Sequence, residues 1–409
     1  MLPCARLAAA RFVPAPSALP SNPNKIVIVQ EQPDLKEFVA RLPASLQGYR
    51  ELILANLVMI GEIPAPTFQE QARIDFLQQR FTESGLQNVC SDEVGNGAAV
   101  LPGSEGCRHI LVSAHADTPF PATIEHTLSL YPERVIGPGI ADNSLGLSII
   151  ASLPMLLDFL DIRLRSNLIL MGASRSLGRG DLAGLRFFLT NSSVPITAGL
   201  SVEGVQLGRL NYASLASLDA EITCRTADVQ GASRSGAVLI LNQVIHRLCK
   251  LVGADDLVLG SVEGGTAFKT PARNALLRIE LRQDCNDKLS GLVRSIDAIV
   301  EDISTRTGAQ LRFEIIARSS AGGLDPLHPL VENARSIITA LGVEPCQDCH
   351  STAASCFNDQ GIPGLVIGIT EGHQLNQPDE EISIEPVFRG IAQLIGMLMA
   401  IDGGCCDGH

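Results

Sequence analysis

Positive charge is what this 409-residue sequence is short of. Lysine and arginine number 31 against 44 aspartate plus glutamate, for a net charge of −13. A chain of that sign lacks the electrostatic footprint of a nucleic-acid or anionic-membrane binder, so neither is expected as the main partner. Long apolar runs are also missing, and no uninterrupted one reaches membrane-spanning length. A charged start followed by a long apolar stretch is not clear either, so no secretory signal is expected. Residues 1–25, rich in Ala and Pro with two Arg, read as an extension rather than a targeting peptide. There is no internal repeat and no low-complexity tract. The 11 cysteines are odd in number and scattered. That suits reduced thiols in the cytoplasm, not a disulfide framework. Cys346-Gln-Asp-Cys349-His350 matches the pattern of c-type haem attachment, but no second haem feature accompanies it. A redox or haem protein is accordingly the last-ranked reading.

What is present is enough chain for two domains and a large core. Helical spacing of apolar residues predicts helices over 46–62 and 68–85, the second ending at Gly85. Strand-like segments at 97–101, 108–114, 166–171 and 197–202 alternate with helical ones at 143–159 and 181–190. This alternation predicts an α/β fold with a mostly parallel sheet flanked by helices. Near 207 the pattern changes. Residues 215–226 alternate as a half-buried strand. A helix at 236–251, strands at 256–262 and 274–282, a helix at 286–306 and a strand at 310–317 follow. The β-α-β-β-α-β order predicts an inserted ferredoxin-like α+β unit. The first domain then resumes with a helix at 328–341, a strand at 364–369 and a closing helix at 385–400.

Two short motifs carry chemistry. Leu111-Val-Ser-Ala-His115-Ala-Asp117 is an apolar run ending in His-x-Asp. It suits a metal site at the end of a buried strand, with His115 ligating through one ring nitrogen and Asp117 holding the other N–H. Gly139-Ile-Ala-Asp142-Asn-Ser-Leu-Gly146 puts Asp142 in a Gly-flanked turn that opens a helix, where a carboxylate can bridge metals. In parallel sheets, ligands bind at the carboxyl ends of strands, and both motifs fall there.

Over roughly residues 46–400 these pieces resemble the zinc-dependent family of aminoacylases, acetylornithine deacetylase, succinyl-diaminopimelate desuccinylase, carboxypeptidase G and tripeptidases. The resemblance rests on Asp92-Glu-Val-Gly-Asn96 before Pro102-Gly103, the two motifs above, Ser201-Val-Glu203-Gly204, and Gly361-Ile-Pro363 before Gly372-His373. It implies a metal-binding domain over 46–206 and 326–400 and a dimerisation domain over 207–325. Residues 1–45 and 401–409 are left as extension and tail. It implies His115, Asp142 and Glu203 as ligands of one zinc, Asp142 and His373 as ligands of a second, and Asp117 as the carboxylate behind His115. It also implies homodimerisation through the inserted domain.

The departures from the family pattern are equally specific. The family carries Glu-Glu, base and ligand, after the strand at 166–173. Here Ser176 and Leu177 align with that pair. Leucine cannot ligate zinc, and serine is a poor base near neutral pH. Asp117 and Asp181 are the alternative bases. The family's inserted-domain His falls near Arg234, and its Asn near Lys269. The Arg that clamps a substrate carboxylate is retained as Arg282. Arg175, Arg234 and Arg282 are therefore the expected substrate-binding cations. The expectation is a zinc-binding amide hydrolase with an altered, one-metal site, acting on an N-acyl amino acid or small peptide. The alternative is an inactive relative that binds a small anionic or peptide-like ligand or serves as an assembly subunit.

Overall fold

The computed structural model describes residues 34–226, 236–253, 255–347 and 353–407. Residues 1–25, Arg234, Cys349 and His350 therefore lie outside the described residues. The chain forms a larger α/β unit and an inserted α+β unit.

The larger unit opens with helices α1 (Leu35–Leu46), α2 (Arg50–Gly61) and α3 (Gln71–Glu83). Helix α1 falls within the stretch expected as an extension. Its Val39, Leu42 and Leu46 line one buried stripe, so it belongs to the core. Then come β1 (Gln87–Ser91), β2 (Gly97–Leu101), β3 (His109–His115), the short β4 (Ser129–Leu130) and β5 (Arg134–Ile136), and helix α4 (Leu145–Phe159). Strand β6 (Asn167–Ala173), helix α5 (Ala183–Asn191) and strands β7 (Ala198–Val205), β8 (Leu210–Asn211) and β9 (Ala213–Ser214) follow. Strand β8 still pairs within the main sheet, so that sheet extends past the expected boundary at 207.

The insertion runs β10 (Ala216–Arg225), α6 (Ala237–Leu251), β11 (Leu257–Gly264), β12 (Asn274–Gln283), α7 (Asn286–Thr307) and β13 (Gln310–Ser319). This is the expected β-α-β-β-α-β order, closed into an antiparallel sheet β11-β12-β10-β13. On β10, Ala216, Leu218, Ala220, Ile222 and Cys224 are buried in the insertion's own core with residues of α6 and α7. The strand's period of two leaves Ser217, Asp219 and Glu221 on the opposite face.

After β14 (Gly322–Gly323) the chain returns to the larger unit through α8 (Pro329–Ala340), α9 (Ala353–Asp359), β15 (Gly364–Thr370), β16 (Gly372–His373), β17 (Glu381–Ser383) and α10 (Val387–Asp402). The main sheet has seven strands in the order β1-β2-β6-β3-β7-β15-β8. Its centre, β6, β3, β7 and β15, is parallel. These strands are buried nearly end to end because helices cover both faces. The segment Ile140–Phe159 is long and apolar enough to cross a membrane, yet it is 89% buried in this core.

Candidate functional site

Three side chains from separate parts of the larger unit converge. His115 ends β3, Glu203 lies on β7, and Asp142 sits in the turn before α4. Their ligand atoms all lie within 4.8 Å of one another. His115 Nε2 is 2.9 Å from Asp142 Oδ1 and 3.6 Å from Glu203 Oε2. One imidazole nitrogen and two carboxylates form a donor set that zinc accepts with an open position left over. Two acids crowded onto one ring nitrogen also carry more negative charge than a single proton neutralises. Burial alone would push the His115 imidazole down, but hydrogen bonds to Asp117, Asp142 and Glu203 hold it well above its ordinary value. The same convergence of two carboxylates on one ring nitrogen is a donor set that could hold a metal cation.

The other face of His115 meets Asp117. His115 Nδ1 lies 3.0 Å from the Asp117 carbonyl and 3.2 Å from Asp117 Oδ1. Asp117 is fully buried. Its Oδ2 accepts from Thr67 Oγ1 at 2.8 Å and from the backbone N–H groups of Ser176 and Leu177 at 3.0 and 2.8 Å. Burial opposes its charge, but bonds from His115, the Leu177 N–H and Thr67 hold the carboxyl below its usual range. This geometry places Asp117 behind His115, away from the ring nitrogen that faces Asp142 and Glu203. Hydrogen-bonded through both oxygens, the Asp117 carboxylate is placed to orient His115.

Ser176 and Leu177 sit beside this centre, but through their backbones. The loop from 174 to 182 is anchored by the Asp92–Asn96 motif. Asp92 Oδ1 accepts from the N–H groups of Val94, Gly95 and Asn96 at 3.0–3.1 Å. Asn96 in turn accepts from the Ser174 N–H at 2.9 Å and donates to the Gly184 carbonyl at 2.9 Å. A Cβ on Gly184 would meet the Ser174 carbonyl at 2.2 Å, so only glycine permits this closure. The Ser176 hydroxyl is buried with no hydrogen-bond partner among the described residues. No activating base stands beside it among the described residues, in keeping with serine being a poor base at the position where the resemblance implies a glutamate.

The expected substrate cations fare differently. Arg175 has φ +51°, its N–H donates to Glu70 at 2.7 Å, and its guanidinium lies 5.9 Å from the exposed Phe68 ring. Arg282 is instead clamped on its own strand by Glu280, at 2.6 and 2.8 Å, which neutralises it. Arg234 lies outside the described residues. His373 stays exposed on the short strand β16 and is not brought into the three-residue cluster. Cys346 is an exposed free thiol. Cys90 is disulfide-bonded, an exception to the reduced-thiol expectation.

Two residues of the centre escape the sequence patterns. Arg73 is fully buried on α3 and donates to the carbonyls of Ile63 at 2.8 Å and Ala116 at 3.3 Å. Burial brings its guanidinium down to about 10, while Asp117 opposes the fall, so it stays charged and balances that carboxylate. Glu380 is also fully buried and accepts from the N–H groups of Ala141 at 3.2 Å and Asn376 at 2.8 Å. Burial pushes its carboxyl up to about 7 against those bonds, with Asp142 adding to the rise. It props the turn that carries Asp142. The one available signal was a glutamate just before the apolar alternation of β17.

No family model matches the sequence, and no curated protein matches it. Solved structures do. The dipeptidase Dug1p from Saccharomyces cerevisiae aligns over 90% of this chain and 99% of its own, with TM-score 0.73 and 13% identity. Human carnosine dipeptidase 1 covers 89% of this chain and 100% of its own, with TM-score 0.72 and 9% identity. An M20 family metallo-carboxypeptidase from Sulfolobus solfataricus covers 86% and 99%, with TM-score 0.65 and 13% identity. The chain thus has the M20 metallopeptidase fold, with a mostly parallel α/β unit and an inserted antiparallel unit.

Proposed function

We propose that this chain is a metal-dependent hydrolase of amide bonds in N-acyl amino acids or small peptides, built around one zinc rather than two. The convergence of His115, Asp142 and Glu203, with His115 pinned from behind by Asp117, carries the reading. When bound there, zinc supplies an acidified water and polarises a substrate carbonyl. The chain's own contributions are positional. Asp117 sets the His115 tautomer, Arg73 balances Asp117, Glu380 holds the Asp142 turn, and Arg175 beside Phe68 suits a substrate carboxylate next to an apolar group. The substrates named for the structural neighbours, dipeptides among them, support the amide class. A homodimer through the inserted unit is part of the same proposal.

The altered 174–182 loop favours a second reading. Between Ser174 and Gly180 the loop carries no carboxylate, and Asp117 is spoken for. A positioned base is worth roughly 10²–10⁴ in rate, so its loss leaves a slow enzyme or a binding protein. Elemental analysis of chain purified without added metal, and again after zinc loading, separates the readings. We expect one zinc per chain and hydrolysis of N-acyl amino acids or dipeptides that a chelator abolishes. No zinc after loading overturns the hydrolase reading and leaves the ligand-binding one. Two per chain overturns the one-metal site.

A further inference from the structure

We propose that Glu70 is a positioning residue that presents Phe68 and Arg175 together as a recogniser for a free carboxylate carried beside an aromatic ring, the chemistry of an N-acyl aromatic amino acid. The inference deepens the hydrolase reading by naming two groups of its substrate. It rests on that reading only for the word substrate, because binding is measurable without turnover.

Glu70 stands just before α3, yet its side chain makes no capping bond to that helix and is buried, 5% exposed. Its Oε1 accepts backbone N–H groups from two separate loops, Phe68 at 2.9 Å and Arg175 at 2.7 Å. Both residues are left-handed, at φ +76° and +51°. That conformation is unfavourable for any residue with a Cβ and persists only where the surroundings impose it. Here they do. The Arg175 carbonyl accepts the Ala183 N–H at 3.0 Å, and a Cβ on Gly180 would stand 2.4 Å from the Arg175 carbonyl carbon. The adjoining residues support the metal centre, because the Thr67 hydroxyl and the Ser176 N–H both donate to Asp117, at 2.8 and 3.0 Å. Phe68 and Arg175 are thus each one residue from a group bound to Asp117.

The side chains supply a second, independent observation. Phe68 is 56% exposed, and Arg175 lies half-buried with its guanidinium 5.9 Å from the ring. Among the described residues that guanidinium has neither a carboxylate partner nor a hydrogen bond. Its neighbours along the chain are engaged, Arg179 with Glu221 and Glu314, and Arg186 with Asp181 and Asp359. A free guanidinium offers paired N–H donors that match a carboxylate. An exposed ring offers its face or edge to another aromatic group. Their separation lets one small ligand touch both.

Isothermal titration of the zinc-loaded full chain with Nα-acetyl-phenylalanine, its primary amide and Nα-acetyl-alanine tests the pair, since the amide lacks the carboxylate and the alanine compound lacks the ring. The phenylalanine acid is expected to bind about tenfold tighter than either. A carboxylate on zinc would also favour the acid over the amide, so variants decide the source. Arg175→Gln should bring acid and amide within about threefold of each other. Phe68→Gly, which suits the left-handed backbone, should do the same for the phenylalanine and alanine acids. Glu70→Ala should lose both preferences with Phe68 and Arg175 intact, and Glu70→Gln, which keeps an acceptor oxygen, should retain them. Zinc content should stay as in wild type throughout. If Glu70→Ala fails to fold, Glu70→Asp, whose carboxylate is set back by one methylene, is read in its place. Equal affinities in wild type, no binding, an acid preference retained in Arg175→Gln, or both preferences retained without the Glu70 contact each overturn the proposal. Loss of zinc together with the preferences, unrescued by Glu70→Gln, marks a merely structural glutamate and overturns it too. Hydrolysis is scored separately. Both preferences without turnover keep the recogniser and sink the hydrolase, and turnover without them does the reverse.

Discussion

Asp402 closes α10 with a carboxylate turned back on the start of β6. It accepts from the backbone N–H groups of Arg165, at 3.1 and 3.0 Å, and Ser166, at 2.8 Å, and is 7% exposed. Burial opposes its charge, but these bonds and the Arg165 guanidinium hold its carboxyl below the usual range. The folded state therefore prefers the ionised form. Its stabilisation is complete above the unfolded carboxyl value of about 3.9 and is lost as pH falls through the lower folded value. Asp402→Asn should lower stability at pH 7 by about 1–3 kcal/mol, and the gap to wild type should close below pH ~4. Urea unfolding at both pH values checks this, and a gap that persists in acid would show that packing rather than charge is at stake. Asp402 was not legible in the sequence, and neither were Arg73 and Glu380. Each acquires its role from backbone groups distant along the chain, and a lone acid or base in a sequence looks like surface. His115, Asp142 and Glu203 were legible because each ends or follows a recognisable apolar run, and strand ends of a parallel sheet converge.

At the scale of elements, helices and strands followed the apolar period closely, including the whole order of the insertion. Helix α1 escaped because Pro43 interrupts its pattern near the end. Strand β1 escaped because Gln87–Ser91 is an exposed edge with no apolar alternation. What sequence spacing could not reveal is the mechanical role of the 174–182 loop. Arg179 reaches across to the inserted sheet, 2.5 Å from Glu221 on β10 and 3.0 Å from Glu314 on β13. Asp181 accepts the Arg318 N–H at 3.0 Å, and Arg186 donates to the Arg318 carbonyl at 2.6 Å. The loop that departs most from the family pattern is thus a clasp between the two units. Exposed ion pairs contribute little to global stability. Arg179→Ala should therefore leave Tm nearly unchanged while speeding hydrogen exchange in the connecting segments 211–215 and 320–324. Unchanged exchange would mean that the two units are held by their other contacts alone.

For the whole molecule, the outer edge of the inserted sheet bears on assembly. Strand β11 is the outer strand of the inserted sheet, and its far edge has no partner among the described residues. Val258, Leu259 and Val262 on it are 40, 41 and 50% exposed, and beside them Val238 and Leu239 of α6 are 39 and 53% exposed. An open edge carrying apolar side chains is a template for pairing with another strand, and soluble chains normally blunt such edges with charge. A second copy related by a two-fold axis would pair β11 with β11 and cover both helices' apolar residues in one self-complementary contact. This placement leaves the polar face of the sheet, with Asp219 and Glu221, turned to the larger unit of the same chain. Dimerisation of this kind and metal binding are then separable. In Leu259→Lys/Val262→Lys, repulsion across the axis should convert a dimer to a monomer in sedimentation velocity. The zinc content should stay as in wild type, because His115, Asp142 and Glu203 all come from one chain. A wild-type chain that sediments as a monomer at tens of micromolar would remove the dimer from the proposal, and a variant that remains dimeric would move the interface elsewhere.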